Sequence, residues 1–136
     1  PYELLRCGEG ELVLAVGNDR QFAELCETIG EPGLAKDQRF ATNPARVENR
    51  DELRPLLEAT LAEKPAAEWV DLLRSRRVPA GVVNDIGAAF EFAEQLGLAP
   101  VIEIPRDGAD PVHLPRNPIK LSKTPASYRL PPPRIP

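Results

Sequence analysis

Methionine is absent from the 136 residues, histidine occurs once and cysteine twice. His113, Cys7 and Cys26 cannot supply the four nitrogen or sulfur donors of a structural zinc site within one chain, so no metal is expected. A Ser-His-Asp or Cys-His apparatus would have to use His113. That residue sits between Val112 and Leu114 in strand-like alternation, and a triad also needs an orienting carboxylate that sequence does not place. Excess positive charge is missing too: 17 Lys and Arg stand against 21 Asp and Glu, a net charge of −4. The general attraction to a phosphate backbone is therefore lacking, and nucleic acid is not an expected partner. No run of about 18 apolar residues occurs, and no basic stretch followed by an apolar one opens the chain, so neither a membrane span nor a signal peptide is read. A soluble, cytoplasmic protein with reduced thiols is expected. Without methionine, Pro1 is no initiator, and a piece of a longer chain is expected.

What is present fits one domain of ordinary size. Apolar residues make up 42% and charged residues 28%, near globular averages. Proline is unevenly placed: 16 occur in all, ten of them from Pro100 onward.

The chain opens with two β-rich runs, Tyr2 to Cys7 and Glu11 to Val16, around Gly8-Glu9-Gly10, which reads as a hairpin. The second run is apolar on both alternating faces, so both sides need cover. Gly17 ends it, and Asn18 with Gln21 three residues on suits a helix cap. That helix should reach Ile29, with Gly30 as its left-handed terminus and Cys26 buried beside Phe22 and Leu25. One short helical turn is expected near Leu34. Asn43-Pro44 and Asn49-Arg50-Asp51-Glu52 look like helix starts, followed by Leu53, Leu56, Leu57 and Leu61 on one face, with a kink expected at Pro55. A further helix carries Ala66, Trp69, Val70 and Leu73 at i, i+3, i+4 and i+7. It ends in Arg74-Ser75-Arg76-Arg77, where positive charge favours the helix dipole and phosphate binding is the competing reading. A short strand at Val82-Val83, a helix capped by Asp85 and bearing Ile86, Phe90 and Ala93, and a second strand pair from Val101 to Ile104 and Val112 to Leu114 follow. From Arg116 onward proline is too frequent for a sheet interior, which reads as extended, polyproline-like chain. The fold class expected is α+β, with a small, mostly antiparallel sheet packed by helices.

Five stretches stand in an informative order: Pro1-Tyr2; Ala15 through Gly17-Asn18-Asp19-Arg20-Gln21-Phe22; Phe40 through Thr42-Asn43 and Arg46-Val47 to Asn49-Arg50; Val78-Pro79-Ala80-Gly81 through Asn84; and Pro118 through Leu121-Ser122 to Thr124-Pro125. Together they resemble the small domain of the family III CoA-transferases (CaiB/BaiF type), which include formyl-CoA and carnitine CoA-transferases and, more distantly, α-methylacyl-CoA racemases. The resemblance spans essentially the whole chain. It implies an acyl-CoA and a carboxylic acid as substrates, transfer through acyl-aspartyl anhydride and aspartyl-CoA intermediates, and no covalently bound cofactor. It also implies that the nucleophilic aspartate and most CoA contacts lie on a large domain absent from this sequence, so no catalytic residue is named here. Residues 1–125 would form the small domain and 126–136 a proline-rich linker back to the large one. The full-length protein would be a homodimer of interlocked rings. The loop Gly17, Asn18, Asp19, Arg20 and Gln21 would approach the active-site cleft, where helix amides suit an anionic oxygen. Racemase relatives carry Glu-Pro-Gln-Phe in this loop, so the sequence here resembles the transferase version. Val83 departs from the proline that many relatives hold. A racemase and a non-enzymatic module with a PxxP tail at Pro133 to Pro136 are the alternatives.

Overall fold

The structure, a computed structural model, describes residues 1–133. The PxxP spacing at 133–136 therefore lies largely outside the described residues. The chain divides into two compact units, Pro1–Val83 and Asn84–Pro136.

In the first unit β1 (Tyr2–Arg6) and β2 (Glu11–Ala15) form the expected hairpin, and β3 (Ala80–Val82) adds antiparallel to β2, giving the order β1-β2-β3. The hairpin turn is seated on the end of a helix. The Gly8 amide donates to the Leu61 and Lys64 carbonyls at 3.2 and 3.0 Å, and a Cβ there would stand 2.5 Å from the Ala62 oxygen. Helices follow as α1 (Asp19–Thr28), α2 (Asn43–Glu48), α3 (Arg50–Leu61) and α4 (Ala66–Ser75), with a single 3-10 turn at Leu34–Lys36. Alternation decides which face they cover. Leu5, Leu12, Leu14 and Val16 are buried with Phe22, Leu25 and Cys26 from α1, Leu53, Leu57 and Leu61 from α3, and Trp69, Val70 and Leu73 from α4. Each fully buried leucine contributes about 1.5–3 kcal/mol relative to exposure. The Trp69 indole also donates to the Leu61 carbonyl at 2.9 Å, so the polar edge of a buried ring shares with the Gly8 amide an acceptor at the end of α3.

Several expectations need correction. Only one face of β2 is covered: Val13 is 39% exposed, because the helices of this unit pack on one side of the sheet. Thr42, not Asn43, caps α2, its hydroxyl accepting from the Ala45 amide at 3.3 Å. Asn49 precedes α3 but makes no cap there; its amide donates to the Ala45 and Arg39 carbonyls instead. Leu56 is 41% exposed, off the stripe of Leu53, Leu57 and Leu61, since i+3 from Leu53 falls at the edge of a narrow buried face. The helix continues through Pro55.

The second unit holds α5 (Ile86–Gln95), capped by the Asp85 carboxylate accepting from the Ala88 amide at 2.8 Å, and an antiparallel pair, β4 (Val101–Arg106) and β5 (Ala109–Pro115). Ile102 and Ile104 are buried, while Ile86, expected on the apolar face, is 82% exposed at the first position of its helix. From Arg116 to Pro133 neither helix nor strand forms, as the prolines predict. The fold is thus α+β, with two small antiparallel sheets rather than one. Among the described residues no helix is long and apolar enough to cross a membrane.

Candidate functional site

The loop between β2 and α1 is built by its own side chains. The Asn18 side-chain oxygen accepts from the Gln21 amide at 2.9 Å, and the Gln21 side-chain oxygen accepts from the Gly17 amide at 3.1 Å. The cap expected from the Asn-x-x-Gln spacing forms, with the return bond made to Gly17, one residue earlier than Asn18. These two side chains thereby hold the turn in one shape. Gly17 itself is under no local constraint: its φ is not left-handed, and a Cβ would meet nothing within 4 Å.

Asp19 ties the loop to the rest of the unit. Its carboxylate accepts from Arg46 at 2.7 Å, and the same guanidinium donates to the Phe40 carbonyl at 2.8 Å and lies 4.4 Å over the Phe22 ring. Arg46 is 3% exposed, and its Nε has no hydrogen-bond partner. Sequence reading quoted Arg46 in a motif but missed this role, because a charged residue on a polar six-residue helix carries no signal that it turns inward. Gly17 and Arg46 border a hollow of about 300 Å³ together with Glu3, Asn43 and Arg50. Glu3 and Arg50 are paired across it at 2.6 Å. Arg20 and Gln21 line a different, smaller hollow with Glu24, Arg76 and Arg77. The five loop residues are therefore not gathered around one cavity; Gly17 borders one and Arg20 and Gln21 another.

The other polar candidates lie apart. His113 is on β5, exposed, 3.4 Å from the Glu103 carboxylate. Cys26 is fully buried, and burial pushes its thiol up to about 11 despite the opposing charge of Arg46, which makes it inert as a nucleophile at neutral pH. Cys7 is half-buried, its pKa also raised by burial and by Glu11.

The sequence pattern described as CoA-transferase family III matches residues 1–135. The chain is 33% identical over 135 residues to succinyl-CoA:glutarate CoA-transferase of Mus musculus, covering 99% of this chain and 31% of that protein. It is 34% identical over 122 residues to acetyl-CoA:oxalate CoA-transferase of Acetobacter aceti, covering 90% and 30%. Among solved structures, a point variant of Rv3272 from Mycobacterium tuberculosis aligns with a TM-score of 0.86 at 31% identity, over 98% of this chain and 37% of that one. A CAIB/BAIF family protein from Brucella suis aligns at 0.79 with 34% identity, over 92% and 32%. The chain spans about a third of the length of the curated relatives it matches.

Proposed function

Since this chain belongs to CoA-transferase family III, we propose that it is the small domain of a protein that moves coenzyme A from an acyl-CoA to a free carboxylic acid. The observation that carries this reading is the match of nearly the whole chain to about a third of each of several CoA-transferases. The attacking carboxylate is assigned to the remaining two thirds of the full-length protein. The role left to this chain is to shape and cover the site. Anhydride and thioester intermediates are hydrolysed unless water is kept away, so a rigid cover has direct chemical value.

Within the chain we assign the approach to substrate to the loop Gly17–Gln21. Its shape is locked by the Asn18 and Gln21 side chains, and its glycine answers to nothing in its own surroundings, which is how a position reserved for close approach by another group looks. A homodimer, a cytoplasmic location and a linker role for 126–136 belong to the same proposal.

The test is to assay the full-length protein with a panel of acyl-CoA donors against mono- and dicarboxylic acids, following formation of the new thioester. Exchange with at least one pair is expected, and the 136-residue chain alone should show none. Failure across the panel overturns the reading. Deuterium exchange at the α-carbon of a 2-methylacyl-CoA without transfer would replace it with a racemase. Turnover by the isolated chain would overturn the placement of the nucleophile.

A further inference from the structure

Arg46 is the one buried charged side chain among the described residues. The other arginines of this unit that pair with a carboxylate, Arg39, Arg50 and Arg54, keep 51%, 50% and 35% of their side chains exposed. Removing a guanidinium from water is costly, and in terms of stability little here offsets it. Its ionic partner, the Asp19 carboxylate, is 58% exposed, so solvent screens the pair. Its Nε is left with no hydrogen-bond partner. For packing alone, an apolar side chain of similar size often serves a buried position as well. What only the planar fork of arginine provides is direction.

Asp19 and Phe22 stand three residues apart on α1, so its first turn presents a carboxylate and a ring on one face. The guanidinium lies 4.4 Å over that ring, donates through Nη2 to Asp19 at 2.7 Å, and donates through Nη1 to the Phe40 carbonyl, ahead of α2, at 2.8 Å. Stacking sets the plane of the fork and the two bonds set its rotation within that plane. Asp19 is thereby held at one place relative to α2. On its other side the loop is anchored by β2, where the Ala15 and Val16 amides donate to the Pro79 and Pro1 carbonyls at 3.0 and 2.9 Å. Asn18 and Gln21 fix the shape of the loop but bond only within it. Among the described residues, Asp19 to Arg46 is the only side-chain hydrogen bond that joins residues 17–21 to another element. Gly17 and Arg46 border the same hollow, so this tie lies beside the glycine assigned to the approach of substrate.

We propose that Arg46 is a positioning residue of the transfer reaction: acting through Asp19, and without touching substrate itself, it sets where the loop Gly17–Gln21 stands. The proposal rests on the function assigned above, in which that loop meets the substrate. It accounts for a buried charge that does little for folding, because the same two bonds and the stacked ring that make a weak stabiliser make a firm orienting device. A displacement of about 1 Å at a substrate-facing group can cost on the order of a hundredfold in rate. Breaking a screened pair costs the fold little. Activity and stability should therefore respond differently to its loss.

The test is a double-mutant cycle in the full-length protein, with kcat, KM and melting temperature measured for each variant. Asp19→Ala removes the acceptor and should lower kcat/KM by about tenfold or more, while the melting temperature stays within about 3 °C of the original. Asp19→Asn keeps a neutral acceptor in the same place and should restore most of the rate, which it would not do if Asp19 served the substrate by its charge. Arg46→Lys should lower kcat/KM by a similar factor, and adding Asp19→Ala to it should cost little more, because both changes break one link. Should Arg46→Lys fail to fold, the two Asp19 variants decide alone. Additive losses, an Asn variant no faster than the Ala variant, or an Asp19→Ala protein with unchanged kcat/KM would each overturn the proposal. A second measurement is independent of turnover. In the isotope-labelled 136-residue chain, Asp19→Ala should introduce relaxation dispersion at the amides of residues 17–20, absent from the unsubstituted chain, with the Gln21 amide still protected by Asn18. A loop as still as before would overturn the proposal as well. Absence of transfer by the unsubstituted full-length protein overturns the function and any part of Arg46 in it, and the relaxation measurement then still decides whether Arg46 places the loop.

Discussion

Arg46 joins three parts of the chain that are distant in sequence: the Asp19 carboxylate on α1, the Phe40 carbonyl before α2 and the face of Phe22. Arg46→Ala leaves the buried Phe40 carbonyl without its donor and a void over the ring, so a loss of about 2–3 kcal/mol is expected in denaturant unfolding. Arg46→Lys should recover little of it, because an ammonium cannot stack flat while reaching two acceptors. Asp19→Asn should cost less than about 1 kcal/mol, since Asp19 is largely exposed and solvent screens the pair. Gly17 gives the converse case. Gly17→Ala should leave the stability of this chain within about 0.5 kcal/mol. The same change should lower kcat/KM of the full-length protein if the loop meets substrate. A full-length variant with unchanged kinetics would remove Gly17 from the proposed site. Gly17 was legible from sequence as a strand breaker. Arg46 was not legible as a core residue, because only the packed surroundings show which way its side chain turns.

Among the elements, the caps were the most readable features and also the easiest to test. Asn18→Ala removes the acceptor for the Gln21 amide and should destabilise the chain by about 1 kcal/mol, measured by thermal unfolding. The start of α3 falls where Asn49-Arg50-Asp51-Glu52 placed it, but without a side-chain cap. Asn49 has the right chemistry for a cap, yet two carbonyls, those of Ala45 and Arg39, take its amide; short-range pattern cannot weigh that competition. A contact invisible to pattern also joins β1 to α3. The Glu58 carboxylate accepts from the Arg6 amide at 3.2 Å and pairs with Arg54 at 3.1 Å. Burial opposes its ionisation, but these donors outweigh burial and hold its pKa below the usual range. A carboxylate depressed in the folded state stabilises above its unfolded pKa of about 4.3 and loses that contribution as pH falls through the folded value. Melting temperature should therefore drop as pH is lowered below about 4.3, and Glu58→Gln should flatten part of that drop. An identical acid limb in the variant would show that Glu58 is not responsible.

At the scale of the whole molecule, the core cluster lies entirely within residues 5–78, inside the first unit, whereas Ile102 and Ile104 are the buried apolar side chains described in the second. A chain ending at Val83 should accordingly unfold cooperatively at nearly the original temperature, while a two-stranded sheet with one helix is marginal alone. Loss of cooperative unfolding on that truncation would show that the second unit stabilises the first. Alkaline pH gives a separate probe of the same core. The Cys26 thiol, raised to about 11 by burial, stays neutral when folded and ionises from about 8.5 when unfolded, so stability is complete below the lower value and declines as pH rises towards the higher. Thiol alkylation at Cys26 should proceed only as fast as the chain opens.

The amino-acid sequence by itself determined the hairpin, the helix boundaries to within a residue or two, the lack of helix and strand over residues 116–133 and the family, because turn glycines, caps, proline and hydrophobic period are local signals written in neighbouring residues. Tertiary structure alone decided that the strands form two sheets, that one face of β2 is left uncovered, that Arg46 is buried and that Arg20 stands beside Arg76 and Arg77. Each of these depends on which surfaces meet after residues tens of positions apart are brought together, and no short window of sequence holds that information.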